Sequence, residues 1–296
     1  MNLVFFKIIS VLLFLLSLLP FWILYLFSDI LYFLLFHIIK YRRKVVELNL
    51  KNSFPEKTVA DRLDIEKKFY KHLSDLIFES IKTLSISPKS LKKRFIFSNL
   101  HELTKYYDEG KSVIAVSGHF GNWEWGPLAA AYELKGKVLV VYKPLSDKRF
   151  EKLVTSMRSR FGAILVPMKH TLRKIIEYNS QPHVLVLVGD QTPPREESRY
   201  FINFLNQPTA IFLGVEKIAV RTNKPVIYFS INKIKRGYYE CLFKPLVEIP
   251  DQTKEYEITN IHTQVLENII RKNPEYWLWS HKRWKFSPDN LKAHHD

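Results

Sequence analysis

His119 and Glu124 stand five positions apart in the segment Ser117-Gly118-His119-Phe120-Gly121-Asn122-Trp123-Glu124-Trp125. A neutral imidazole takes the proton from a hydroxyl as that oxygen attacks a carbonyl carbon. A carboxylate beside the ring fixes its tautomer and steadies the imidazolium that forms. No nucleophilic Ser or Cys is required. The spacing puts a condition on the backbone. In one continuous helix, at about 100° per residue, the two side chains diverge by about 140°. They face one another only if His119 precedes a helix and Glu124 lies in its first turns. Gly118 and Gly121 permit such a tight approach, Asn122 suits the cap position, and the free N–H groups of a first turn can hold an oxyanion. A His-x4-Glu pair is common by chance, and a histidine that only caps the helix satisfies the same pattern.

The surrounding elements must supply that geometry. Residues 112–116 are short, apolar and partly β-branched, which predicts a buried strand, and residues 122–134 read as a helix. The alternation continues. Strands are predicted at 138–142, 163–166, 184–188 and 226–232, with an edge strand at 238–242. Helices are predicted at 147–161, 172–178, 209–221 and 257–271. Upstream, 45–53 reads as the end of a helix. Residues 58–84 form an amphipathic helix with Phe69, Leu73, Leu76, Ile77 and Ile81 on one stripe. Residues 95–97 read as a strand and 102–107 as a short helix. Near-continuous apolar strands alternating with helices predict an α/β fold with a mostly parallel sheet flanked by helices. In such sheets ligands sit at the carboxyl ends of the strands.

The chain has 296 residues and a formal charge of +16, with one cysteine, Cys241, so no internal disulfide can form. The charge favours anionic partners. Residues 8–27 carry no charge and are dominated by Leu, Ile, Phe and Val. Twenty residues at about 1.5 Å each cross a hydrocarbon core of about 30 Å, with Pro20 as a kink, which predicts an N-terminal transmembrane helix. A cleaved signal has a shorter apolar region and a small-residue cleavage site. Here Ser28-Asp29 leads into a second apolar run, 30–39, too short to span and so predicted to lie at the interface. Lys40-Tyr41-Arg42-Arg43-Lys44 follows, against Lys7 alone before the anchor. This charge bias puts the remainder on the cytoplasmic side, against the anionic inner-membrane surface. With the charge so explained and no nucleic-acid motif present, a nucleic-acid partner is excluded. The division expected is 1–44 as anchor and interfacial helix, and 45–296 as catalytic domain.

The motif segment SGHFGNWEW resembles the His-x4-Asp/Glu motif of the lipid A biosynthesis acyltransferase family, the late lauroyl and myristoyl transferases related to glycerol-3-phosphate acyltransferases. Other blocks resemble that family in order and spacing: KVVELNLKNSFP at 44–55, VYKPL at 141–145, MRSRFG at 157–162, LVGDQTP at 187–193, FLNQPTA at 204–210 and YWLWSHKRWK at 276–285. The resemblance covers essentially the whole chain. It implies transfer of a fatty acyl group from acyl carrier protein, or from coenzyme A, to a hydroxyl of a membrane lipid, usually a lipid A precursor. Carried over by position, His119 is the general base and Glu124 its partner. Lys143 departs from the Arg of many members, keeping the charge and losing the planar fork.

Further residues join the candidate site. Gly121 and Asn122 belong to the motif loop, and Lys143 is a candidate for substrate binding. Arg158 and Arg160, at a helix end before Gly162, suit a phosphate or phosphopantetheine contact, and equally suit helix-dipole compensation. Asp190-Gln191 ends an apolar strand, where Asp190 can orient His119, hold Arg158 or cap a turn. His281, Arg283 and Trp284 read as an interfacial or headgroup-binding cluster. No metal site is expected, since His119 and Glu124 lack a second ligand set, and no bound cofactor is implied. The rival readings are the same chemistry on an aminolipid, glycolipid or lysophospholipid, a membrane esterase in which His119 activates water, and a non-catalytic membrane scaffold.

Overall fold

A computed structural model describes residues 3–134 and 137–288. The elements run α1 (Leu3–Leu18), α2 (Phe21–Phe33), α3 (Arg43–Ser53), α4 (Val59–Lys82), α5 (Pro88–Arg94), β1 (Phe95–Phe97), α6 (His101–Asp108), β2 (Val113–Ser117), α7 (Trp125–Glu133), β3 (Lys137–Tyr142), α8 (Lys148–Arg158), β4 (Ile164–Pro167), α9 (Thr171–Glu177), β5 (His183–Val188), β6 (Phe201–Phe204), β7 (Gln207–Ala210), α10 (Gly214–Thr222), β8 (Val226–Lys235), β9 (Tyr238–Val247) and α11 (Glu257–Lys272). Seven strands form one sheet in the order β1-β9-β8-β2-β5-β3-β4. Every pairing is parallel except β8 with β9, an antiparallel hairpin. The fold is therefore the α/β, mostly parallel sheet flanked by helices that the alternation predicts.

The central strands are buried on both faces, which is why they read as continuous apolar runs. Ile114 and Val116 of β2 and Leu185 and Leu187 of β5 point to one side, where they meet Phe69 of α4, Ile258 and Leu266 of α11, and Trp277. Val113, Ala115, Val184 and Val186 point to the other, against Leu91 of α5, Leu103 of α6, and Trp125 and Leu128 of α7. Truncating one such residue, Leu185→Ala for example, costs about 2–5 kcal/mol. Helix α4 begins at a capping box. Thr58 Oγ1 accepts the Asp61 N–H at 3.1 Å, and Asp61 Oδ2 accepts the Thr58 N–H at 3.2 Å.

Three expectations need correction. Residues 8–27 are not one helix: α1 stops at Leu18, and Pro20, which lacks an N–H and crowds the preceding turn, starts a new one. The run 30–39, expected as a separate interfacial piece, continues α2 through a π-helical turn at Leu34–Ile38. Among the described residues, the helix long and apolar enough to cross a membrane is thus Phe21–Ile38. Second, residues 209–221 do not form one helix. A hairpin, β6–β7, takes 207–210, turned through Leu205 and Asn206 at φ 50° and 62°, and α10 starts only at Gly214. Two consecutive left-handed residues are what a tight hairpin turn requires. Third, β9 is not an edge strand; it runs ten residues and lies between β1 and β8.

Candidate active site

Strands β2 and β5 are parallel neighbours in register, Ser117 opposite Val188, so their carboxyl ends release two loops side by side. The β2 loop carries His119 and the β5 loop carries Asp190. Asp190 Oδ1 lies 2.5 Å from His119 Nδ1, and Asp190 Oδ2 accepts the His119 backbone N–H at 2.8 Å and the Trp277 indole N–H at 2.8 Å. A carboxylate at that distance fixes the proton on Nδ1 and leaves the lone pair on Nε2. The Gln191 amide donates to that Nε2 at 3.2 Å, and the Trp123 ring stands edge-on to the imidazole with centroids 5.3 Å apart. The His119 side chain is 19% exposed against 3% for Asp190, so the basic nitrogen faces outward from a buried support.

The electrostatics follow from that pairing. Burial works against a charged His119, but the charge and hydrogen bond of Asp190 outweigh it and raise the imidazole above its usual range. Burial alone would push Asp190 up. The His119 charge and the bonds from His119 and Trp277 instead hold it down at about 2. The pair is thus an ionised carboxylate beside an imidazole of raised proton affinity.

Glu124 does not occupy the position expected of it. Helix α7 begins at Trp125, three residues later than the sequence suggests, so Glu124 precedes the helix rather than lying within its first turns. Its carboxylate is forked onto Arg158, Oε2 to Nε at 2.8 Å and Oε1 to Nη2 at 2.6 Å. The carboxylate that orients His119 is Asp190, which the sequence left between three roles. Glu124 acts on the imidazole only through its charge, opposed by that of Arg158.

The rest of the motif loop is structural in its contacts. Gly121 adopts φ +63°, and a Cβ there would stand 2.3 Å from the Ile231 carbonyl oxygen, so glycine is required. Its N–H donates to Tyr276 O and its carbonyl meets His72 Nε2. A Cβ at Gly118 would press on Leu266 and on Asp190 Oδ2. Asn122 is 1% exposed. Its Oδ1 accepts the Trp125 N–H at 3.0 Å, as a helix-entrance residue should, and its Nδ2 donates to Glu79 at 2.7 Å. The buried Asn122 side chain therefore spends both polar atoms inside the protein.

The remaining candidates scatter. Lys143 follows β3 at the same sheet edge and is exposed. Arg160 donates to the Thr83 carbonyl and so pins the end of α8 to the end of α4. The C-terminal cluster is not an interfacial surface: Arg283 is 2% exposed, His281 Nε2 accepts the Thr192 N–H at 3.1 Å, and Trp284 donates to Thr209 Oγ1 at 2.7 Å. Trp277, which braces Asp190, was missed. The apolar block around it gives no hint of a polar contact, because only the indole N–H takes part.

The chain is similar to known proteins over nearly its whole length. A family model described as bacterial lipid A biosynthesis acyltransferase matches residues 3–286. The chain belongs to that family, as the motif blocks imply. A lipid A biosynthesis acyltransferase of Haemophilus influenzae is 22% identical over 245 residues, covering 82% of this chain and 76% of the relative. The lipid A biosynthesis palmitoleoyltransferase of Escherichia coli K12 is 21% identical over 251 residues, covering 84% and 81%. A second Haemophilus influenzae acyltransferase of that description is 24% identical over 251 residues, covering 84% and 79%.

Proposed function

We propose that this protein transfers a fatty acyl chain from acyl carrier protein, or from coenzyme A, to a hydroxyl of a lipid A precursor, with His119 as general base. The observation that carries the reading is the His119–Asp190 pair at the carboxyl ends of β2 and β5, its Nε2 turned outward. Nε2 takes the proton of the acceptor hydroxyl while that oxygen attacks the thioester carbonyl. Asp190 stabilises the imidazolium formed. When the tetrahedral intermediate collapses, the C–S bond breaks and the leaving thiolate takes the proton back from Nε2.

Glu124 and Arg158 form a fixed polar wall beside the base and set the approach of the substrate. Lys143 offers an exposed cation for phosphate on the donor or acceptor. A surface of formal charge +16 suits an acidic carrier protein and anionic lipid. The N-terminal helices carry the chain to the membrane. Trp22, Leu26, Ile30 and Phe33 of α2 are more than half exposed on one stripe, while Tyr25, Ser28 and Asp29 dock on α4 and the β8–β9 turn. Within the basic cluster, Arg42 and Arg43 bind Ser280 O and Glu66, and Lys40 and Lys44 stay exposed for headgroups. The reading places residues 45–296 on the cytoplasmic side of the inner membrane as the catalytic domain, with residues 1–44 as its anchor.

The test is an assay of the full chain in detergent, with acyl carrier protein or coenzyme A bearing a labelled acyl group and a lipid A precursor. The expected result is labelled lipid A precursor with release of the free thiol. Free fatty acid without acylated lipid supports an esterase, labelled aminolipid, glycolipid or lysophospholipid moves the acceptor, and no turnover supports a scaffold.

A further inference from the structure

Asp190 also lines a small cavity together with Ser117, Tyr228, His262, Thr263 and Arg283 among others, and His119 is not part of that lining. The guanidinium of Arg283 is unusual there. One nitrogen, Nη2, donates to the Ala210 carbonyl at 2.7 Å, while Nε and Nη1 have no hydrogen-bond partner although both are buried. No carboxylate lies within 4 Å of it among the described residues. A cation so placed is costly, and the structure must gain something from it. The carboxylate that shares the cavity lining with it is Asp190, whose charge favours the protonated guanidinium.

We propose that Arg283 is a positioning residue that works through Asp190: its buried charge is the fixed counter-ion that keeps Asp190 ionised while His119 is neutral and ready to act as a base. The proposal rests on the reading of His119 as the base. The carboxylate has three hydrogen-bond donors but only one partner that can be charged, His119, and that charge disappears whenever the base is ready. The other titratable groups around it cannot replace it. His262, from α11, and His281, from the C-terminal segment, are both driven by burial to about 4 and stay neutral near neutral pH. Tyr228, from β8, is pushed up by burial and stays protonated. Arg158 faces His119 from the outer side and is neutralised by Glu124. Arg283 itself, though lowered to about 10 by burial, remains a cation at neutral pH. Without it, the His119–Asp190 pair would hold the imidazole proton more tightly and the base would be spent.

The test is the titration of His119, read by NMR on the full chain with labelled histidine, in wild type, Arg283→Met, Arg283→Gln and Arg283→Lys. Both neutral variants should raise the apparent pKa of His119 by about 1 or more, while Arg283→Lys, which retains a charge, should stay nearer to wild type. In transfer assays the neutral variants should lose about 10-fold in kcat at pH values below the shifted pKa, with KM little changed, and recover when the pH is raised above it. A merely structural role would give a loss uniform in pH. An unshifted or lowered His119 pKa in a folded neutral variant overturns the proposal, as does a Lys variant that behaves like Met. Arg283→Gln serves where Arg283→Met fails to fold. The titration needs no turnover, so it separates this inference from the assignment of His119, which fails only if His119→Ala keeps its activity.

Discussion

Two carboxylates are buried within one loop of each other and are pushed in opposite directions. Asp190, behind the motif loop, is held down at about 2 because its partners include an imidazole that becomes a cation. Glu79, beneath the same loop on α4, is raised by burial to about 7. The Asp75 charge adds to the rise, while bonds from the Tyr239 and Tyr25 hydroxyls and the Lys233 charge only temper it. It accepts from Tyr25 of α2, Asn122 of the motif loop and Tyr239 of β9 at 2.9, 2.7 and 2.7 Å. Neutral donors satisfy a buried carboxylate without supplying the charge that would keep it ionised. Asp190 has a partner that becomes charged, whereas the groups that hydrogen-bond Glu79, between α2 and the motif loop, are two hydroxyls and an amide. On the function proposed, the difference separates the site of proton transfer from a brace, although both carboxylates are buried and hydrogen-bonded.

Substitutions can break this contrast in order of size. His119→Ala should reduce transfer by about 10²–10⁴-fold with the fold intact, measured as initial rate alongside circular dichroism. Asp190→Asn should come next, at about 10²-fold or more, because an amide can hold the ring with the wrong nitrogen protonated. The same change should lower stability most above the ordinary carboxylate range. A folded-state value near 2 contributes stability that is present above about 3.8 and lost as the pH falls through about 2. Glu124→Gln should cost only about 10-fold, the worth of one charge-assisted bond to Arg158, and should appear in KM as much as in kcat. A loss exceeding that of Asp190→Asn would return Glu124 to the direct role its spacing suggested.

The smallest effect is expected at Glu79 and has the opposite pH sign. A carboxyl raised from 4.5 to about 7 stabilises the fold at low pH and loses that contribution as the pH rises between those values. Glu79→Gln should therefore flatten the pH dependence of thermal unfolding across that window, a change of about 1–3 kcal/mol, while leaving kcat within about threefold. A kcat loss comparable to Asp190→Asn would mean that Glu79 takes part in the chemistry.

Much of this was legible in the chain. Strands such as residues 113–117 and 183–188 announce burial on both faces, and their parallel pairing puts His119 and Asp190 at one edge. The partnership itself was not legible, because it joins residues 71 positions apart, whereas Glu124 was near enough in sequence to attract the role. Local spacing says which residues are neighbours along a turn; strand register says which side chains meet. The same limit hid Trp277, and it hid the burial of Arg283, whose basic and aromatic neighbours His281, Lys282 and Trp284 read as surface. The N-terminal helices show the converse error. Hydropathy located the apolar residues correctly, and Pro20 then divided them differently from a simple count of twenty.

The most direct test of the account is the protonation state of the His119 ring, read from nitrogen shifts of labelled protein above the His119 pKa. In wild type and in Glu124→Gln the proton should sit on Nδ1 and the lone pair on Nε2, and this tautomer should be lost in Asp190→Asn. A tautomer that survives Asp190→Asn and is lost in Glu124→Gln would contradict it, and would move the support of the base from β5 back to the motif loop.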